Sequence, residues 1–143
     1  MKCFVAGLVN TETTVQVQSF PLEYAPVHYP FFGIQSAASG VGLNVASALV
    51  TLGATVNLCA FIGEDSAGSV VRAQLEALGF VLQLEPIPQH PQSVVLVDSG
   101  GQRSIHTDLK DVQDRRYDPE MLGAALRDAD AALIGNINFA RPA

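Results

Sequence analysis

Asn10, Glu12, Gly40, Gly42 and Asn44 are the residues whose types and spacing lend themselves to chemistry. Asparagine and glutamate oxygens accept hydrogen bonds from hydroxyl groups, and on rigid elements they lose little entropy when a polyhydroxylated ligand binds. In the run Ser39-Gly40-Val41-Gly42-Leu43-Asn44-Val45-Ala46 two glycines one residue apart free the backbone for positive φ and for close approach of a ligand. A helix follows: Leu43, Ala46, Leu49, Val50 and Leu52 keep near a 3.6-residue period, and Gly53 stands where a C-terminal cap glycine belongs. A glycine turn opening onto a helix N-terminus offers unpaired N–H groups and a partial positive charge to an anionic or hydroxyl-rich ligand, with the Asn44 amide at its mouth. Taken singly, Asn10 as a turn former and Asn44 as a helix-start residue are the ordinary assignments.

The elements that must position these residues alternate along the chain. Lys2–Val9 reads as a strand ending at Asn10, and Thr13–Gln18 alternates polar with apolar as a half-exposed strand does. Phe20–Phe32 holds Pro21, Pro26 and Pro30 among Tyr24, Tyr29, Phe31 and Phe32, a composition for an edge strand or loop whose aromatics face a partner or cover a ligand. Ala54–Ile62 reads as a buried strand, Ser66–Leu78 as a helix closed by Gly79, and Phe80–Leu84 and Ser93–Val97 as strands separated by Pro86, Pro88 and Pro91. Asp98-Ser99-Gly100-Gly101 predicts a hairpin turn with Gln102–Thr107 returning. Asp118 and Pro119 open a helix through Leu126, and Ala131–Ile134 is a short strand leading to Gly135-Asn136. Such alternation predicts an α/β fold with a mostly parallel sheet and helices on its faces.

The stretch SGVGLNVASALVTLGATVNLCAFIGED resembles the N-terminal signature of the PfkB carbohydrate kinase, or ribokinase-like, family, in which a Gly-Gly-x-Gly-x-Asn turn enters a helix. Gly40, Gly42, Asn44, Ala46, Gly53 and Gly63 fall in register, while Ser39 stands where the family has glycine or alanine. Residues 5–12 resemble the first family strand with its Gly-x-x-Asn-x-Asp ending, Asn10 matching and Glu12 replacing the aspartate; Gly63-Glu64-Asp65 with Gly68 and the hairpin VVLVDSGGQR also match. The resemblance implies a ribokinase-like three-layer sandwich plus a small β-sheet lid, with lid strands at approximately 13–36 and 93–107 and residues 1–143 forming the N-terminal part of one domain. It implies ATP-dependent phosphorylation of a sugar or nucleoside hydroxymethyl group with magnesium, and substrate contacts from Asn10, Glu12, Gly40, Gly42 and Asn44. The extra methylene of Glu12 shifts its carboxylate, and Val41, where some sugar kinases of the family carry lysine, argues against ribose in particular.

Several classes are disfavoured. A net charge of −6 without a charge run argues against nucleic acid or an anionic membrane surface as partner. No window is long enough to span a bilayer, the N-terminus lacks a signal h-region, and a cytoplasmic protein with free thiols at Cys3 and Cys59 is expected. His28, His90 and His106 lack metal-ligand spacing and read as surface or lid residues; Arg103 with His106 reaches a ligand from the hairpin or, more simply, is solvated. Gly40-x-Gly42 with Glu64 matches a dinucleotide fingerprint only in part, since Val45 replaces the third glycine and residues 33–38 are not a buried strand. The chain contains neither the Gly-Ala-Gly-Asp segment of the resembled family nor a GxxxxGK[ST] loop, so no catalytic or cofactor residues are expected within it. Two explanations stay open: a fragment of a full kinase, favoured by the uncapped Phe139–Ala143 ending, or a short protein that binds a sugar or forms a homodimer through its lid.

Overall fold

A computed structural model describes residues 1–135. In chain order the elements are β1 (Lys2–Ala6), β2 (Asn10–Gln16), β3 (Ile34–Ser39), α1 (Val41–Thr51), β4 (Thr55–Gly63), α2 (Ser66–Ala77), β5 (Val81–Ile87), β6 (Gln92–Val97), β7 (Arg103–Asp108), α3 (Pro119–Arg127) and β8 (Ala131–Ile134). They form two four-stranded sheets, a core sheet in the order β5-β4-β1-β8 and a small sheet in the order β3-β2-β6-β7. Asn136 and the Phe139–Ala143 ending lie outside the described residues.

The core sheet is parallel throughout. Its central strands β1 and β4 are covered on both faces, which is why they read as largely apolar runs. One face sends Cys3, Val5, Val56, Leu58, Ala60 and Ile62 against Leu43 and Ala46 of α1 and Val71 and Leu75 of α2. The other sends Phe4, Ala6, Cys59 and Phe61 against Val112, Tyr117 and Leu122 and Ala125 of α3. The layers are therefore helix, sheet, helix, as the sequence predicts. Cys3 and Cys59 are free; they belong to opposite faces, and Cys3 pairs with Val56 while Cys59 pairs with Ala6, three residues out of register. Burial pushes the Cys59 thiol up to about 12, so it stays protonated and inert.

The small sheet differs. β2 pairs antiparallel with β3 and parallel with β6, which pairs antiparallel with β7. The chain enters the small sheet after β1 and after β5 and returns to the core layers after β3 and after β7, so four covalent crossings join the two parts. The segment 17–33 between β2 and β3 contains no strand and settles the proline-rich stretch as a loop, with Tyr24, Phe31 and Phe32 exposed. No helix among the described residues is long and apolar enough to cross a membrane.

Several boundaries differ from the sequence reading, and those of β1 and β5 have a visible physical cause. The first strand stops at Ala6 instead of Val9, because the backbones of Gly7 and Gly42 touch: a Cβ built on either meets the other at 2.7 Å. The chain turns there and Asn10 becomes the first residue of β2, not the end of β1. β5 continues through Pro86 to Ile87, which an edge strand permits because a residue there can turn its missing N–H outward.

Candidate functional site

β2 places Asn10 and Glu12 on one face by its two-residue alternation. Asn10 is buried at the root of the small sheet, and its Nδ2 donates to Ser93 Oγ of β6 at 2.7 Å; Ser93 Oγ in turn donates to Thr107 Oγ1 of β7 at 3.0 Å. That chain fixes which way the amide faces. Its other atom, Oδ1, is buried and has no hydrogen-bond partner.

Oδ1 lies beside the start of α1. Gly40 takes φ 107° at the N-cap, a value that favours glycine, and a Cβ there would stand 2.4 Å from the Leu8 carbonyl oxygen and 3.0 Å from Asn10 Oδ1. No side chain caps α1. The Gly42 N–H donates to the Leu8 carbonyl at 2.9 Å, so the helix start is stitched to the turn that precedes Asn10. Gly42 itself is buried against Gly7, where its lack of a side chain serves close packing. Asn44 is exposed, and its backbone N–H makes the first helical bond, to Gly40 O at 2.9 Å.

Glu12 is half-buried and accepts from Ser39 Oγ at 3.3 Å. The two positions at which this chain departs from the resembled signature are thus bonded to each other, across a diagonal of the β2–β3 ladder in which Asn10 pairs with Ser39. The longer acid is held by the hydroxyl that replaces a glycine or alanine.

Asn10, Glu12, Ser39 and Gly40 therefore come together, with Gly42 packed beneath them and Asn44 further along α1. Their side chains present oxygen acceptors and no cation, which suits hydroxyl donors. Ser93 and Thr107 belong to the same network and were not picked out from the sequence; the signal was the small polar residue in each strand at the register position facing Glu12's row. Arg103 and His106 do not converge: they are exposed and an odd number of residues apart on β7, hence on opposite faces. His28 and His106 are exposed, but His90 is fully buried, a correction to the surface reading; the bare Gly63 leaves room for it. A cavity of about 730 Å³ opens at the far end of β2, lined by Gln16, Gln18, Tyr24, His28 and Tyr29, and none of the candidate residues lines it. The segment before Gly40 is β3 of the small sheet, so Gly40-x-Gly42 does not close a parallel strand–helix unit of the dinucleotide kind.

A profile of the pfkB family carbohydrate kinases matches residues 2–137. No curated protein sequence matches the chain. Among solved structures, the microbiome-derived acarbose kinase Mak1 shares 24% identity at a TM-score of 0.87, covering 98% of this chain and 47% of that one. The Arabidopsis thaliana ribokinase complexed with ribose and ATP shares 22% at 0.76, with 92% and 44% covered. The Methanocaldococcus jannaschii nucleoside kinase, an archaeal member of the ribokinase family, shares 18% at 0.65, with 93% and 50% covered. At these identities the likeness is one of fold, and this chain spans half or less of each structure's length.

Proposed function

The chain belongs to the pfkB family of carbohydrate kinases, and from that premise we propose that the protein transfers the γ-phosphoryl group of ATP to a hydroxymethyl group of a sugar or nucleoside, with residues of this chain holding the acceptor. The observation that carries this reading is the buried, unpartnered Oδ1 of Asn10 beside the uncapped start of α1. An acceptor atom in that state lacks a donor, and a substrate hydroxyl is one. Glu12, steadied by Ser39, supplies a charged acceptor nearby.

Phosphoryl transfer depends mainly on positioning and on stabilising the charge of the transferring group. The part assigned to this chain is the first of these: Asn10 and Glu12 orient hydroxyls, α1 turns its positive end toward them, and the small sheet acts as a lid that keeps water out. Among the described residues no three His, Cys, Asp or Glu side chains gather as metal ligands, and the sequence has no phosphate-cradling loop. The described residues therefore supply no such cluster for magnesium, and no step is assigned to a magnesium–ATP site. The solved neighbours are named for acarbose, for ribose and for nucleosides, so the acceptor class stays at sugars and nucleosides. The cytoplasm fits this reading, since ATP and free thiols such as Cys3 and Cys59 coexist there.

Thermal denaturation with ribose, glucose, adenosine and acarbose, without nucleotide, tests it. A ligand that binds only the folded state raises Tm by mass action, and we expect at least one of the four to do so while NAD does not. No shift with any of them, or an Asn10→Ala variant that responds like the unaltered protein, overturns the reading. Reading the gene past codon 143 for a Gly-Ala-Gly-Asp segment then separates a kinase from a binding-only protein. A second reading, a self-associating sugar-binding remnant, is favoured by β8, which among the described residues has a strand neighbour on one side only and exposes Leu133 and Ile134, and by the exposed Tyr24, Phe31 and Phe32 of the lid. Sedimentation of the 143-residue chain as a well-behaved monomer counts against it.

A further inference from the structure

His90 is fully buried although it lies in the linker between β5 of the core and β6 of the lid. Gly63, the last residue of β4, makes this possible: a Cβ there would stand 2.4 Å from His90 N and 2.5 Å from His90 Cβ. The Gly63 N–H donates to His90 Nδ1 at 3.2 Å. Asp65, the N-cap of α2, accepts on Oδ1 from the Gly68 N–H at 2.9 Å and on Oδ2 from the His90 N–H at 3.1 Å. The linker therefore takes a hydrogen bond from one end of the β4–α2 turn and gives one to the other.

Because Nδ1 is an acceptor, the neutral ring carries its proton on Nε2. A second proton would put an N–H on Nδ1 facing the N–H of Gly63 and remove the bond. The residues after His90 lead into the acceptor site. The Pro91 carbonyl accepts from Thr11 N at 3.0 Å, and Ser93 Oγ accepts from Asn10 Nδ2 at 2.7 Å.

We infer that His90, as its Nε2–H tautomer, is a positioning residue for the acceptor site: it clamps the root of β6 to the core at Gly63, and so keeps Ser93 where it turns Asn10 Oδ1 toward α1. Its effect on a sugar rests on the proposed acceptor role of Asn10; the clamp itself does not. Burial lowers the His90 pKa from its ordinary value, opposed in part by the Asp65 carboxylate, which is the charged group bearing on the ring among the described residues. Asp65 is itself held below the usual carboxylate range, chiefly by the Gly68 N–H. A histidine whose folded pKa is depressed contributes stability that is full above the unfolded value of 6.5 and is lost as pH falls toward the lower folded value.

Two measurements on the 143-residue protein decide the clamp. Nitrogen NMR of the His90 ring at neutral pH should show a protonated Nε2 and a bare Nδ1; the reverse tautomer overturns the inference, and this reading needs no variant. Hydrogen exchange at the Gly63 amide should rise roughly tenfold in His90→Ala, the order of one lost hydrogen bond, and fall back in His90→Asn, whose amide oxygen can take the place of Nδ1. Unchanged exchange in His90→Ala overturns the clamp. For the consequence at the site, whichever of ribose, glucose, adenosine or acarbose raises Tm should bind more weakly to His90→Ala and recover in His90→Asn. Equal binding by all three proteins overturns the positioning role. If the unaltered protein binds none of the four, the acceptor reading fails, while ring tautomer and Gly63 exchange still judge the clamp.

Discussion

The core sheet and the lid are each built of four strands, yet they use sequence for different ends. In the core sheet Phe4, Leu58, Cys59, Ala60 and Ile62 are buried on one face or the other. In the lid, β2 is half-buried along most of its length, β3 and β7 are largely exposed, and the interior contact is made by Asn10, Ser93 and Val95. Apolar area removed from water holds the first together; ladder hydrogen bonds, four covalent crossings and a few polar contacts at the root hold the second. Stability resides in the core sheet, and the proposed acceptor contacts lie outside it. A strand packed on both faces has no atom to spare for a ligand, whereas a lid strand with one polar face can offer Asn10 and Glu12 because it carries little of the packing.

Substitutions test that division. The largest effect is expected in the core: Phe4→Ala should cost about 3–5 kcal/mol, the range for removing a fully buried phenylalanine, seen as a lower midpoint in urea. A shift under 1 kcal/mol, a floor set well below that range, would break the contrast. Next is the junction. Asp65→Ala removes the cap of α2 and the acceptor of the His90 N–H and should cost about 1 kcal/mol. Because the folded pKa of Asp65 lies below 3.8, its contribution is present above that pH and lost as pH falls through the lower folded value. Tm of the unaltered protein should therefore fall more steeply in that acid range than Tm of Asp65→Ala.

Smaller still is the Glu12–Ser39 pair. A double-mutant cycle of Glu12→Asp and Ser39→Gly should return a coupling of about 0.5 kcal/mol in stability; strict additivity would mean that the Ser39–Glu12 contact contributes nothing to stability. Smallest is the outer lid. Ile105→Ala, at a position 52% exposed on β7, should stay within about 0.5 kcal/mol, and a core-sized loss there would show that the lid carries packing after all.

The core was largely legible in the sequence because its signals are local. The 3.6-residue period from Leu43 to Leu52 ended at Gly53, which takes φ +85° after the C-cap, and the β-branched and apolar run of β4 allowed one interpretation. Asn10, Glu12 and Gly40 were legible as site candidates chiefly through their place in a known signature, and Ser39 only as a departure from it. What escaped was set by contacts between distant residues. The end of β1 depends on Gly42, 35 positions past Gly7; the burial of His90 depends on the missing side chain of Gly63, 27 positions earlier; and the partner of the Asn10 amide is Ser93, 83 positions on. No periodicity carries such information. Pro86 misled for the opposite reason, as a local breaker signal overruled by an edge position.

The proposed acceptor site lies between the root of the lid and the start of α1, and amide NMR during titration with ribose, glucose, adenosine and acarbose tests it most directly. The prediction is that a binding sugar moves the resonances of Asn10, Glu12, Gly40 and the first turn of α1, together with the Asn10 side-chain amide, and that Asn10→Ala abolishes these shifts while leaving the core spectrum intact. Shifts confined to the Gln16–Tyr29 cavity at the far end of β2, or no shifts with any of the four, would contradict it.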